Sequence, residues 1–282
     1  MPKHTLLAVL AHPDDESFGI GGTLAYYASL GADVYLICAT RGEVGEVAPE
    51  MLKGFNSIAE LRESELRCAA STLGLAGVFF LDYRDSGMPG SADNSHPQAL
   101  AAQPVEAVAA KVAYHIRQLR PQVVLTFDPI GGYRHPDHVA IHNATVRGFD
   151  LAGDPSFSAD GLQPYQPKGL YFHVYPKRLL RWAVKILPLL GMDPHRYGKN
   201  HDIDMATFAE EEFPIHARID VRSVIEKKEK AAACHASQGG GQAGSSLLVF
   251  ILRRFSRDEA FMRAYPPVTK KQKIARDLLD SF

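Results

Sequence analysis

Thr5-Leu6-Leu7-Ala8-Val9-Leu10-Ala11 is a nearly unbroken apolar run, and it stops at His12-Pro13-Asp14-Asp15-Glu16. A run of that length, apolar at alternate and intervening positions alike, reads as a strand covered on both faces. The pattern turns helical from Gly19 to Leu30, where Gly31 can end it in a left-handed conformation. A second apolar run spans Val34 to Ala39. Ser57-Ile58-Ala59-Glu60 has the form of a capping box, opening a helix to Leu73 with Gly74 as its stop. Val78 to Leu81 reads as a third strand, Pro104 as the first residue of a helix reaching Leu119, and Val123 to Phe127 as a fourth strand.

Strands alternating with helices of this length form parallel βαβ units. The expected fold class is therefore α/β: a doubly wound, mostly parallel, Rossmann-like sheet with helices on both faces and C-terminal additions. Such sheets take ligands outside the carboxyl ends of their strands, where the strand order switches. Beyond about residue 150 the pattern weakens. Leu170 to Tyr175 and Ala217 to Val221 can add strands, and Arg222 to Ala236 a helix. Gln238 to Ser246, with glycines at 239, 240 and 241, reads as a loop. We expect one domain over 1–282, with its core in 1–150 and additions in 151–282.

Composition excludes several function classes. Of 282 residues, 31 are Lys or Arg and 32 Asp or Glu, a net charge of −1, which does not suit a nucleic-acid binder. No apolar run approaches the ~18 residues that a membrane span needs, and Asp14-Asp15-Glu16 does not fit a signal peptide. Cys38, Cys68 and Cys234 are isolated, with no CxxC spacing, and suggest neither a disulfide framework nor a metal knuckle. These features predict a cytoplasmic protein.

Two segments carry chemistry, each just after a predicted strand: Ala11 to Glu16, and Tyr133-Arg134-His135-Pro136-Asp137-His138. Neighbouring strand ends would bring the two loops into one crevice with three histidines and several carboxylates. Two histidines and a carboxylate around an open position make a common catalytic Zn²⁺ set, although iron and manganese accept the same donors. The plainer reading is that Asp14, Asp15 and Asp137 merely cap helices. Two such loops at one ligand-binding edge outweigh it. A dinucleotide site fails on order, because His12-Pro13-Asp14-Asp15 stands where the glycine-rich turn should be.

The AHPDDE segment with the later HPDH resembles the LmbE-like deacetylases of the PIG-L superfamily. The likeness extends to Gly21-Gly22-Thr23, Thr40-Arg41-Gly42-Glu43, Arg84-Asp85-Ser86-Gly87-Met88 and Gly131-Gly132-Tyr133, and returns weakly at Lys230 and His235-Ala236-Ser237-Gln238. The resemblance implies hydrolysis of the acetamide of an N-acetylglucosamine-type small molecule. By matching positions it implies metal ligands His12, Asp15 and His138, with Zn²⁺ favoured and Fe²⁺ the alternative. Asp14 becomes the general base, Tyr133 a stabiliser of the oxyanion, His135 a proton holder near the leaving amine, and Asp137 its orienting partner. Arg62 and Asp85 match positions that hold sugar hydroxyls.

Competing expectations are an amidase for a larger amide, such as a thiol conjugate, and a metal-binding protein without activity. His142, four residues after His138, is a weaker candidate ligand, and His235 and Gln238 are weaker candidates for lining the pocket. Lys177 to Leu190 has a wide apolar face with Trp182, Ile186 and Leu187 beside basic Arg178, Arg181 and Lys185. It suits core cover first, a homo-oligomer contact second and membrane attachment last.

Overall fold

The computed structural model describes residues 4–177, 181, 184–185, 187–190, 193, 211–240, 258–269 and 272–280. Arg178, Leu179, Leu180, Trp182, Ala183 and Ile186 of the amphipathic 177–190 stretch therefore lie outside the described residues, as do residues 241–246 of the glycine-rich loop.

Among the described residues, seven strands form one sheet: β1 (Thr5–Leu10), β2 (Asp33–Cys38), β3 (Gly77–Phe80), β4 (Val123–Phe127), β5 (Gly169–Val174), β6 (Ala217–Asp220) and β7 (Asp258–Tyr265), in the order β3-β2-β1-β4-β5-β7-β6. The first five run parallel, with Leu7 of β1 aligned to Tyr35 on one side and Val124 on the other. β7 lies antiparallel between β5 and β6. Strand order reverses at β1, so the crevice between the carboxyl ends of β1 and β4 is the ligand-binding position of such a sheet.

Alternation along β1 divides the core. Leu6, Ala8 and Leu10 pack under α2 (Gly21–Ser29), α3 (Ile58–Leu73) and α7 (Ile225–Cys234), together with Leu24, Leu66 and Ala231. Leu7, Val9 and Ala11 pack on the other face under α4 (Val105–Leu119) and α6 (Pro136–Gly153), with Val112, Ile141 and Phe149. Both faces are sealed, which explains the near-continuous hydrophobicity of β1 and β4. The capping box is half formed. Ser57 Oγ accepts from the Glu60 N–H at 3.1 Å, but the Glu60 carboxylate turns to the Asn56 N–H at 2.7 Å, and Gly74 ends α3 at φ +81°.

The cysteine reading needs correction. Cys68 on α3 and Cys234 at the end of α7 form a disulfide across 166 residues of sequence. Spacing rules see only local pairs, so a single long-range bridge left no trace in the pattern. Cys38 is buried in β2, as a free thiol in an apolar strand would be. No helix among the described residues is long and apolar enough to cross a membrane.

Candidate active site

β1 ends in a tight turn that opens α1 (Asp15–Phe18), and β4 leads through α5 (Gly131–Arg134) into α6. Pro136 occupies the first turn of α6, while the His135 ring caps it by accepting the Asp137 N–H at Nδ1, 3.2 Å away. That bond leaves the neutral ring's proton on Nε2. Gly131, at φ +66°, lets α5 fold back on α6, since a Cβ there would lie 2.7 Å from the His138 Cβ.

The two loops meet. His138 Nε2 lies 3.3 Å from His12 Nδ1 and 3.3 Å from Asp15 Oδ1, and His12 Nδ1 lies 3.5 Å from Asp15 Oδ2. Donors held about 2.1 Å from a tetrahedral zinc ion stand about 3.4 Å apart, so this triangle fits such an ion. His138 Nδ1 faces the Gly131 carbonyl at 3.2 Å, and its ring stacks on Phe127. That backbone contact on one nitrogen turns the other toward the site.

The second nitrogen of His12 faces carboxylates: Nε2 lies 3.1 Å from Asp137 Oδ2 and 3.6 Å from Asp85 Oδ1. His12, Asp85 and Asp137 thus form another conceivable cation cluster, as do His12, His135 and His138. The acceptors of the former are already engaged. Asp137 takes the Ser86 N–H at 2.9 Å and a short bond from the Ser86 hydroxyl, and Asp85 takes the Gly87 N–H at 2.8 Å. The Nδ1 side of His12 faces Asp15 and His138 and is the less engaged of its two sides, while Asp137 meets its Nε2.

This changes the expected role of Asp137. Its carboxylate is directed at His12 rather than His135, to which only its backbone N–H donates. His135 is expected to hold a proton; its Nδ1 accepts the Asp137 N–H, and burial, followed by the neighbouring His12 and His138, pushes the ring down to about 2, which favours the uncharged form. It still offers Nε2–H as an uncharged donor.

Burial pushes the Asp14 carboxyl up to about 6, against the pull of Arg62 and with help from Asp15. Asp15 behaves oppositely. Burial would raise it, yet the His138 and His12 rings hold it well below the usual carboxylate range. Adjacent aspartates thus have divergent acidities, set by their different neighbours.

Arg62 is no solvated helix residue. It is 4% exposed, and its guanidinium donates to the Pro13 carbonyl at 2.6 Å, the Gly42 carbonyl at 2.9 Å and Asp14 Oδ2 at 3.0 Å. Gly42, at φ +66°, permits this approach, because a Cβ there would fall 2.0 Å from an Arg62 nitrogen. Arg62 therefore clamps the Asp14 loop as well as lining the cavity.

A mainly polar cavity of about 340 Å³ lies over His12, Asp14, Arg62, Asp85, His135 and Gln238. A more apolar one of about 280 Å³ lies over Leu10, Phe18, Ile20, Phe127 and Tyr175. Asp14, Met88 and Tyr133 border both, and Tyr133 is 39% exposed. A wider hollow of about 970 Å³ near Tyr26, Asp220 and Arg222 brings no metal-binding ring, so size alone does not locate the chemistry. His142 turns away from the site, its Nδ1 facing the Phe127 carbonyl at 2.8 Å. Three contributors escaped the sequence reading. Ser86 holds Asp137, Glu16 receives the Asp14 N–H at 3.0 Å, and buried His173 lines the apolar cavity. Ser86 and Glu16 sit inside the quoted motifs, which was their only signal.

The family model for PIG-L, described as GlcNAc-PI de-N-acetylase, matches residues 7–149, from β1 into α6. The chain belongs to the PIG-L family. A relative from Geodermatophilus obscurus, named 1D-myo-inositol 2-acetamido-2-deoxy-alpha-D-glucopyranoside deacetylase, is 38% identical over 84% of this chain and 83% of its own length. One of the same name from Kineococcus radiotolerans is 47% identical over 67% of this chain, which spans 56% of that protein. Among solved structures, N,N'-diacetylchitobiose deacetylase from Pyrococcus horikoshii superposes with a TM-score of 0.64 at 20% identity, over 93% of this chain and 84% of its own. That likeness places this PIG-L chain in the same α/β fold.

Proposed function

We propose that this chain is a zinc-dependent hydrolase that cleaves the acetamide of an N-acetylglucosamine-type substrate, releasing acetate and a free amine. The observation that carries the reading is the donor triangle of His12, Asp15 and His138 beside a separate carboxylate, Asp14, whose pKa burial raises to about 6. His12 Nδ1, the Asp15 carboxylate and His138 Nε2 would hold the ion. When bound, it supplies a Lewis acid that brings the acidity of water toward neutrality and polarises a carbonyl.

Asp14 removes a proton from the attacking water as the oxygen adds to the acetamide carbon. Arg62 fixes the orientation of Asp14, and Tyr133 donates toward the charge that builds on the carbonyl oxygen. Collapse breaks the C–N bond, and the departing nitrogen recovers the proton from Asp14. His135, neutral with Nε2–H, steadies that nitrogen's surroundings without needing a charge of its own. Asp85 and Arg62 line the side where sugar hydroxyls would lie.

The relatives' names make an acetamido sugar carried on inositol the first substrate to test, with N,N'-diacetylchitobiose second. The test is release of acetate and free amine by protein loaded with one zinc equivalent, compared with Fe²⁺-loaded and chelated protein. Activity on acetylated amino sugars that disappears with chelation is expected. Turnover of a bulky thiol-conjugate amide, with none of the acetylated sugars cleaved, would replace this reading with the amidase alternative.

A further inference from the structure

We propose that His235 is a positioning residue for Asp14, acting through Glu16 to fix the backbone turn that aims the Asp14 carboxylate; this rests on the function proposed above.

Asp14 has φ 123° and ψ −30°, a region that a residue with a side chain rarely occupies without outside restraint. Its N–H donates to Glu16 Oε2 at 3.0 Å. The other oxygen, Glu16 Oε1, faces His235 Nε2 at 2.7 Å and takes the Ser17 hydroxyl at 2.5 Å. Glu16 and His235 are both fully buried, so water cannot replace a lost donor. With Oε1 fixed by His235, Oε2 has one direction left, and it points at the Asp14 amide.

His235 comes from more than two hundred residues away and is itself tied down. It follows Cys234, whose disulfide to Cys68 pins the end of α7 to α3. Its carbonyl accepts the Gln238 and Gly240 N–H groups at 3.1 and 2.9 Å, and its ring meets Phe18 edge-on. This chain of contacts does not include His12 or His138, and the Asp15 carboxylate that it brackets is held separately by the His12 N–H at 2.8 Å. The prediction that separates positioning from simple stability is a loss of turnover without loss of metal.

The decisive pair is His235→Gln against His235→Asn, in the zinc-loaded full chain. Glutamine places its amide nitrogen where Nε2 stood; asparagine reaches only as far as Nδ1. The Asp14 amide proton, read by selectively ¹⁵N-labelled NMR, is expected downfield and slow to exchange in wild type and His235→Gln. It should lose both signatures in His235→Asn and His235→Ala. On the substrate wild type cleaves best, kcat should fall about tenfold or more in His235→Asn with KM and zinc content unchanged, and His235→Gln should recover most of it. The proposal is overturned if His235→Asn leaves the Asp14 amide and kcat intact. It is equally overturned if kcat falls only with zinc content or folded fraction, or if Gln is no better than Asn. A wild-type protein that cleaves no acetylated sugar would refute the proposed function instead, and the amide signature would still decide the role of His235.

Discussion

Every donor at the candidate metal site comes from the segments that follow β1 and β4, between His12 and His138, whereas much of what supports the helices around them comes from β7 and the residues just after α7. His235 meets Glu16, the Ser237 N–H and hydroxyl donate to Glu65 on α3, and Glu259 of β7 takes the Gly22 and Thr23 N–H groups at the start of α2. The first region carries chemistry in short, dense motifs. The second carries support in single residues spread over long distances. Damage to the first should remove metal or turnover; damage to the second should leave the donors in place and weaken what surrounds them.

The largest effects test the first half of that contrast. His12→Ala, Asp15→Ala and His138→Ala should each lose bound zinc and activity together. Asp14→Asn should keep zinc and lose about 10²- to 10⁴-fold in turnover, the usual reach of a general base. Metal analysis beside initial rates decides it, and equal zinc loss in all four variants would make Asp14 a ligand.

A smaller effect belongs to the tether. Cys68→Ser with Cys234→Ser removes a cross-link spanning 166 residues and should cost about 2–4 kcal/mol of stability, seen as a lower urea midpoint while zinc content stays the same. A midpoint equal to that of the oxidised wild type would show that packing of α7 on α3 suffices alone.

The smallest and most localised effect is at Glu259. Burial pushes its carboxyl up, but the Lys228 ammonium at 2.6 Å and the amide donors more than offset this, holding it below the ordinary 4.5. A lowered folded value means that the contribution is complete above 4.5 and is lost as pH falls through that folded value. Glu259→Gln should therefore cost about 1–3 kcal/mol at neutral pH. The gap from wild type should close in acid. A gap constant from pH 7 to 3 would mean that shape, not charge, is what Glu259 provides.

The same contrast explains what could be read in advance. β1 and β4 are legible because both faces are buried, so almost every residue is apolar, and the motifs follow directly at their carboxyl ends. β7 is not. Asp258-Glu259-Ala260-Phe261-Met262-Arg263-Ala264-Tyr265 mixes charge into a strand that is only partly buried, because Glu259 must face the start of α2. The Cys68–Cys234 pair is invisible for a similar reason, since neither residue has a near partner in sequence. With that bridge present, cysteine usage no longer argues for a reducing compartment. Within the motifs, residue types were legible but directions were not: the turn at Asp14 and the capping of α6 decide that Asp137 meets His12 and not His135.

The position of β7 also has a consequence for how the molecule is made. It is the last of the described strands, yet it occupies the slot between β5 and β6. A chain leaving the ribosome N-terminus first completes β1 to β5 and exposes the outer edge of β5, an open template for wrong pairing, until residues 258–265 emerge to fill it. Every side chain of the candidate metal site has been synthesised by residue 138, well before that slot can close. The nascent protein thus passes through a stage in which the candidate site residues are present and the sheet that supports them is unfinished.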